Sequence, residues 1–233
     1  MTYTICTVKC EGSTLPGRDL SKHIRILDNQ RNGLTPCLAY QKLLEEEDAD
    51  FLIYLHDDVT IHDPDWGVKL LCPFLENENC IAVGLGGATG LGNWNLHRQP
   101  YALRNMARTG YASNQTDAEV HGERFTGERR VAVLDAFCMA VRRSYLLSVG
   151  GWPTAHLTFH CLDLWLACQA ARDGKEIWMT GASCTHHGGG SSTKGVYQDA
   201  KWLQGGTAQS DHELPHLFLF NEYRDVLPIK VGK

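Results

Sequence analysis

The sequence predicts an α/β fold with a mostly parallel central sheet flanked by helices, and three observations carry that expectation. β-rich apolar runs alternate with helix starts through the first half of the chain. The run from Phe51 to Leu55 is apolar at every position, as a strand covered on both faces must be. That run stops on His56-Asp57-Asp58, which places carboxylates at a strand end, where open α/β sheets collect their ligands.

The elements follow in order. Tyr3 to Val8, His23 to Leu27, Phe51 to Leu55 and Cys80 to Val83 read as strands. Between the second and third, Thr35-Pro36 supplies an N-cap and a first-turn proline for a helix through Leu44. Asp63-Pro64-Asp65-Trp66 opens a second helix in the same way, continuing to about Glu76. Strand, helix, strand, helix, strand then implies right-handed crossovers. From Gly84 to Trp94 the pattern dissolves into glycines, and a polar stretch continues to about Glu128. These glycines make no dinucleotide fingerprint, because no helix with an acidic ribose partner follows them. Arg130 to Val141 reads as one strand with a charge in its middle, Ser144 to Val149 as a short helix, and Leu162 to Arg172 as a stronger one. Glu176 to Met179 is a strand, and Val196 to Leu203 and Leu217 to Val226 are helical candidates.

A length of 233 residues with 43% hydrophobic content suits a single domain, residues 1–233. Within it, about 1–95 and about 96–233 make two halves. Net charge is -5, so the molecule lacks the overall positive field of a general nucleic-acid binder. Between His97 and Arg143, however, lie eight arginines, no lysine and five acidic residues, a locally basic stretch. Nine cysteines form no C-x-x-C pair and their number is odd, so they read as reduced thiols rather than a disulfide set or a zinc knuckle. The amino terminus lacks a signal-peptide pattern and no apolar window is long enough to span a bilayer, which gives a cytoplasmic expectation.

Four polar features sit at the ends of apolar elements: Asp28-Asn29, Asp57-Asp58, Asp163 and His186-His187. Each alone also suits a turn or a helix cap. Their order along the chain is more specific. It resembles the GT-A glycosyltransferases of the large family-2-like group, and most closely the compact branch whose acidic metal motif begins with histidine. The resemblance rests on Leu55-His56-Asp57-Asp58-Val59, Val83-Gly84-Leu85-Gly86-Gly87 with Trp94, Leu134-Asp135-Ala136-Phe137 and Arg142-Arg143-Ser144. It continues through Gly150-Gly151-Trp152, Phe159-His160-Cys161-Leu162-Asp163, Asp173-Gly174 and His186-His187-Gly188-Gly189, and spans roughly residues 20–195.

That resemblance implies a GT-A fold, Rossmann-like, and an inverting transfer of a sugar from a nucleotide-diphosphate sugar, UDP-linked by default, to an acceptor hydroxyl. It places Asp28 and Asn29 at the nucleotide base, with Thr7 and Gly87 also on the donor side. It sets Asp57 at the ribose, and Asp58 with His187, or His186 in its stead, at Mn²⁺ or Mg²⁺. Asp163 becomes the catalytic base, and Trp94, Asp135 and His160 lie toward the acceptor. The chemistry agrees: a divalent cation stabilises the leaving diphosphate, and a carboxylate takes the acceptor proton as attack proceeds. Oxygen ligands with an imidazole suit Mn²⁺ better than Ca²⁺. The acceptor expected by default is a saccharide or lipid-linked saccharide. The arginine-rich stretch adds a hydroxymethylated base in DNA, which a steep salt dependence would mark. Carboxylates with histidines also suit a metal hydrolase, and a sugar-binding module without turnover would carry the same residues.

Overall fold

Phe51 to Leu55 forms β3, and its alternation divides the core between two sides of one sheet. Leu52 and Tyr54 pack with Leu43, Leu44, Trp152 and Trp165, whereas Phe51, Ile53 and Leu55 pack with Leu70, Phe74, Val83 and Phe137. All five are buried, which is why the run carries no polar residue. The computed structural model describes residues 2–9, 24–29, 33–92, 106–115, 123–187 and 208–232, with side chains of the last segment from 213 onward.

The main sheet has seven strands in the order β2 (Ile24–Asp28), β1 (Tyr3–Lys9), β3, β10 (Cys138–Arg142), β5 (Cys80–Gly84), β11 (Glu176–Thr180) and β8 (Glu128–Val131). Strands β1, β2, β3, β5 and β11 run one way, so the sheet is mostly parallel as expected; β10 and β8 oppose them. Helix α1 (Pro36–Glu46) begins where Thr35 Oγ1 accepts the Leu38 N–H at 3.1 Å, with Pro36 in the first turn. Helix α2 (Trp66–Glu76) covers the opposite side, α3 (Arg143–Ser148) follows β10 directly, and α4 (Leu162–Arg172) is bounded as the sequence implies. No described helix is long and apolar enough to cross a membrane.

Arg130 to Val141 is not one strand. It is β8, then β9 (Val133–Leu134), then β10, because the chain turns at Asp135-Ala136-Phe137 and β9 joins a different sheet. The glycine-rich segment is not irregular either: Gly86–Leu91 forms β6, paired with β7 (Arg108–Ser113), β9 and β13 (Ile229–Lys230). Its glycines permit close approach, since a Cβ on Gly87 would stand 2.6 Å from the Val133 carbonyl oxygen. The last described helix, α5 (Ala208–Glu222), starts and ends earlier than the expected Leu217 to Val226. The expected helix Val196 to Leu203 lies outside the described residues.

Candidate metal centre and donor cleft

Strand β3 delivers His56, Asp57 and Asp58 to the end of the sheet. The chain turns there, with the His56 N–H donating to the Phe137 carbonyl at 2.9 Å, and continues as β4 (Val59–Ile61) rather than as a helix. The two aspartates are therefore not caps for α2. Strand β4 pairs antiparallel with β12 (Cys184–His186), with His186 opposite Val59, and the ladder extends through a 2.8 Å bond from the His187 N–H to the Asp58 carbonyl. Pairing fixes which way each histidine faces.

Side chains on a strand alternate. Cys184 and His186 share one face of β12, where the His186 ring stacks on Phe137 at 5.3 Å. His187 follows on the other side, and its Nε2 lies 2.9 Å from Thr60 Oγ1. His186 Nε2 consequently stands 3.2 Å from Asp58 Oδ1, and His56 Nδ1 stands 4.0 Å from the same oxygen. The ligand atoms of His56, Asp58 and His186 all lie within 4.8 Å of one another. The structure thus gathers His186, not the favoured His187, beside Asp58. It also adds His56, which the sequence marked as the start of the motif without a ligand role.

Whether these residues suit a cation can be judged from their own chemistry. Asp58 Oδ1 is buried and makes no well-directed hydrogen bond, an arrangement that costs free energy unless something positive shares the space. Burial raises the Asp58 pKa, yet the imidazoles of His186 and His56 outweigh it and hold the carboxyl below its ordinary range. The His56 imidazole is pushed below its usual value by desolvation first and by His186 second. A neutral imidazole and an ionised carboxylate are the forms that ligate. Two nitrogens and one oxygen make a candidate Mn²⁺ or Mg²⁺ site, with the nitrogens favouring Mn²⁺.

His56 and Asp58 of the centre line a cleft of about 440 Å³ that also includes Val8, Asn29, Tyr40, Asp57, Arg108 and Asp163. Asn29 reaches it as a structural clamp: its side chain donates to the Leu34 carbonyl at 2.8 Å and accepts the Leu34 N–H at 2.9 Å, tying the end of β2 to the residues just before α1. Asp163 sits in the first turn of α4, 5% exposed, and its Oδ1 accepts the Leu164 N–H at 2.8 Å. The Arg108 guanidinium from β7 donates to its other oxygen. His160 lines the same cleft. Sequence reasoning missed Arg108, since nothing in local spacing ties β7 to the start of α4.

Other candidates sit elsewhere. Thr7 is fully buried beneath the cleft wall, and its hydroxyl has no hydrogen-bond partner among the described residues. Asp28 closes β2 in an exposed position. Gly87 is enclosed by Val131 and Val133 and does not line the cleft, a departure from its donor-side assignment that follows from its place in β6. Asp135, next to the cleft-lining Ala136, accepts the Tyr111 hydroxyl at 2.7 Å. Trp94 lies outside the described residues.

Comparison with known proteins can now be set beside this geometry. GalNAc-T7 with UDP, GalNAc and Mn²⁺ shares the fold with a TM-score of 0.54 at 11% identity, over 79% of this chain and 43% of that one. The mannosyltransferase PcManGT from Pyrobaculum calidifontis, in complex with GDP-Man and Mn²⁺, does so with a TM-score of 0.52 at 13% identity, over 100% of this chain and 65% of that one. The chain therefore spans less than two thirds of either neighbour, and the likeness is one of fold, the GT-A type. No curated protein matches the chain. A family model described as "Glycosyltransferase like family" matches residues 24–203, most of the chain, and the protein belongs to that family.

Proposed function

We propose that this protein is a metal-dependent glycosyltransferase that moves a sugar from a nucleotide-diphosphate sugar, UDP-linked by default, to an acceptor hydroxyl with inversion. One observation carries the reading: a single cleft is lined by His56 and Asp58 of the metal cluster, by Asn29 and Asp57 on the donor side, and by the buried carboxylate of Asp163. In this reading the donor half is about residues 1–95 and the acceptor half about 96–233.

A bound cation, held by His56, Asp58 and His186, would supply Lewis-acid stabilisation of the departing diphosphate. The remaining work falls to the chain itself. Asp57 faces the ribose, while Asp28 and the Asn29-clamped loop border the base. Asp163 accepts the acceptor hydroxyl's proton, and a carboxylate whose pKa is raised by burial is a better base near neutrality than an exposed one. Attack from the Asp163 side inverts the anomeric centre.

A saccharide is the acceptor class we favour. Of the eight arginines that suggested a nucleic-acid acceptor, five are engaged within the chain, three of them in ion pairs: Arg108 with Asp163, Arg129 with Glu123, Arg130 with Glu176. Arg142 and Arg143 bond backbone carbonyls of Cys80, Phe74 and Leu44. The test is mass spectrometry of products after incubation with Mn²⁺, a panel of nucleotide sugars, and saccharide or hydroxymethylated-DNA acceptors. Transfer to a saccharide, reduced about 10²- to 10⁴-fold in Asp163→Asn, is expected. Donor consumed by water alone, equally fast in that variant, would favour a metal hydrolase built on the same cluster.

A further inference from the structure

Cys161 occupies an unusual place. It is the N-cap of α4 with φ of 71°, the one non-glycine residue among those described in the left-handed region, and it lines the cleft. Its Sγ lies 3.2 Å from Nδ1 and 3.6 Å from Nε2 of His216 on α5, and His216 lines the cleft too. Arg108 faces the same space, as does Asp163, two residues along. The thiol therefore meets an imidazole, a helix N-terminus and a guanidinium; of the carboxylates lining the same cleft, Asp163 is bound by that guanidinium, and Asp57 and Asp58 belong to the strand end that carries the metal cluster.

The other described thiols lack this setting. Cys161 is also buried, at 7% exposed, but it borders the cleft; Cys6, Cys37, Cys80, Cys138, Cys168 and Cys184 are fully enclosed in the two cores, and burial pushes Cys6, Cys37, Cys80 and Cys168 up to about 12. Cys72, half-buried on α2, neighbours the carboxylate of Glu76, with its Sγ 3.7 Å from Oε1. A carboxylate beside a thiol disfavours the thiolate.

We propose that Cys161 and His216 form a thiol–imidazole pair that makes Cys161 the preferred site of mixed-disulfide formation with a small disulfide, closing the acceptor side of the cleft. His216 takes the thiol proton, and the Cys161 sulfur attacks one sulfur of the disulfide. A new S–S bond forms as the old one breaks, and the second sulfur leaves as a thiolate that receives the proton from His216. No net oxidant beyond the disulfide is required. The pairing stands on geometry and does not rest on the transferase reading.

The experiment exposes the full chain to cystamine, quenches with acid, and follows each cysteine peptide by mass spectrometry. Cys161 should gain the cysteamine adduct about tenfold faster than Cys72, and His216→Gln should erase that advantage while leaving Cys72 unchanged. Should His216→Gln fail to melt cooperatively, Cys161→Ser supplies the second readout, losing the fast phase of total adduct formation. Cys72 reacting first, or a Cys161 rate that ignores His216→Gln, or a fast phase that survives Cys161→Ser, would overturn the proposal. Because adduct mass is read directly, an absence of glycosyl transfer leaves the result intact.

Discussion

At Asp163 burial and a guanidinium pull in opposite directions. Burial disfavours the ionised form, Arg108 favours it, and burial wins, so the carboxyl sits above its ordinary range. A base acts only when ionised, so transfer should be lost as pH falls through the Asp163 pKa. Removing the guanidinium leaves burial and the neighbouring Asp135 opposed only by backbone N–H groups such as that of Leu164. Arg108→Gln should therefore move the acid limb of the kcat/KM profile to higher pH, with Arg108→Lys between the two; an unmoved limb would show that Arg108 does not set the state of Asp163. The metal centre makes a second residue-scale prediction. His186→Ala should lower Mn²⁺ affinity by at least ~10- to 100-fold in calorimetric titration, whereas His187→Ala should leave it nearly unchanged. The sequence held the pair of histidines but not the choice between them, because which one faces Asp58 depends on the register of β12 against β4, a pairing of segments far apart in the chain.

At the level of elements, what was legible followed from local signals. Thr35-Pro36 started α1, and the glycine of Asp173-Gly174, at φ of 65°, stopped α4. What was not legible depended on long-range pairing. Strand β6 reads as a loop because glycines weaken any strand signal, yet they are required where β9 crosses closely. The turn at Asp135-Ala136-Phe137 was hidden inside an apolar run for the same reason: only the destination of each half, one to β6 and the other between β3 and β5, reveals the break. This makes glycine substitutions a sharp test. Gly87→Ala would press a methyl to 2.6 Å from the Val133 carbonyl and should cost ~1–3 kcal/mol in urea unfolding. Gly67→Ala, in α2 with nothing within 4 Å, should instead stabilise by ~0.5–1 kcal/mol. Equal effects of both would mean that β6 does not lie against β9 as described.

For the molecule as a whole, the metal cluster ties distant parts of the chain together. His56 and Asp58 follow β3 in the centre of the sheet, and His186 arrives from β12, more than a hundred residues later. All three side chains must be in place before the site exists, so an ion that binds the folded chain alone stabilises the fold by mass action. At a hundredfold excess over its dissociation constant that is about 2.7 kcal/mol. A chain of this length shifts its Tm by roughly 2–4 °C per kcal/mol, so Mn²⁺ should raise the midpoint by about 5–11 °C. Asp58→Asn should abolish the rise. It also removes a carboxylate that His186 and His56 hold below its ordinary range, so at neutral pH the metal-free variant should melt somewhat below the metal-free parent. Differential scanning fluorimetry with and without Mn²⁺ separates the effects, and a rise retained in Asp58→Asn would place the ion elsewhere in the fold.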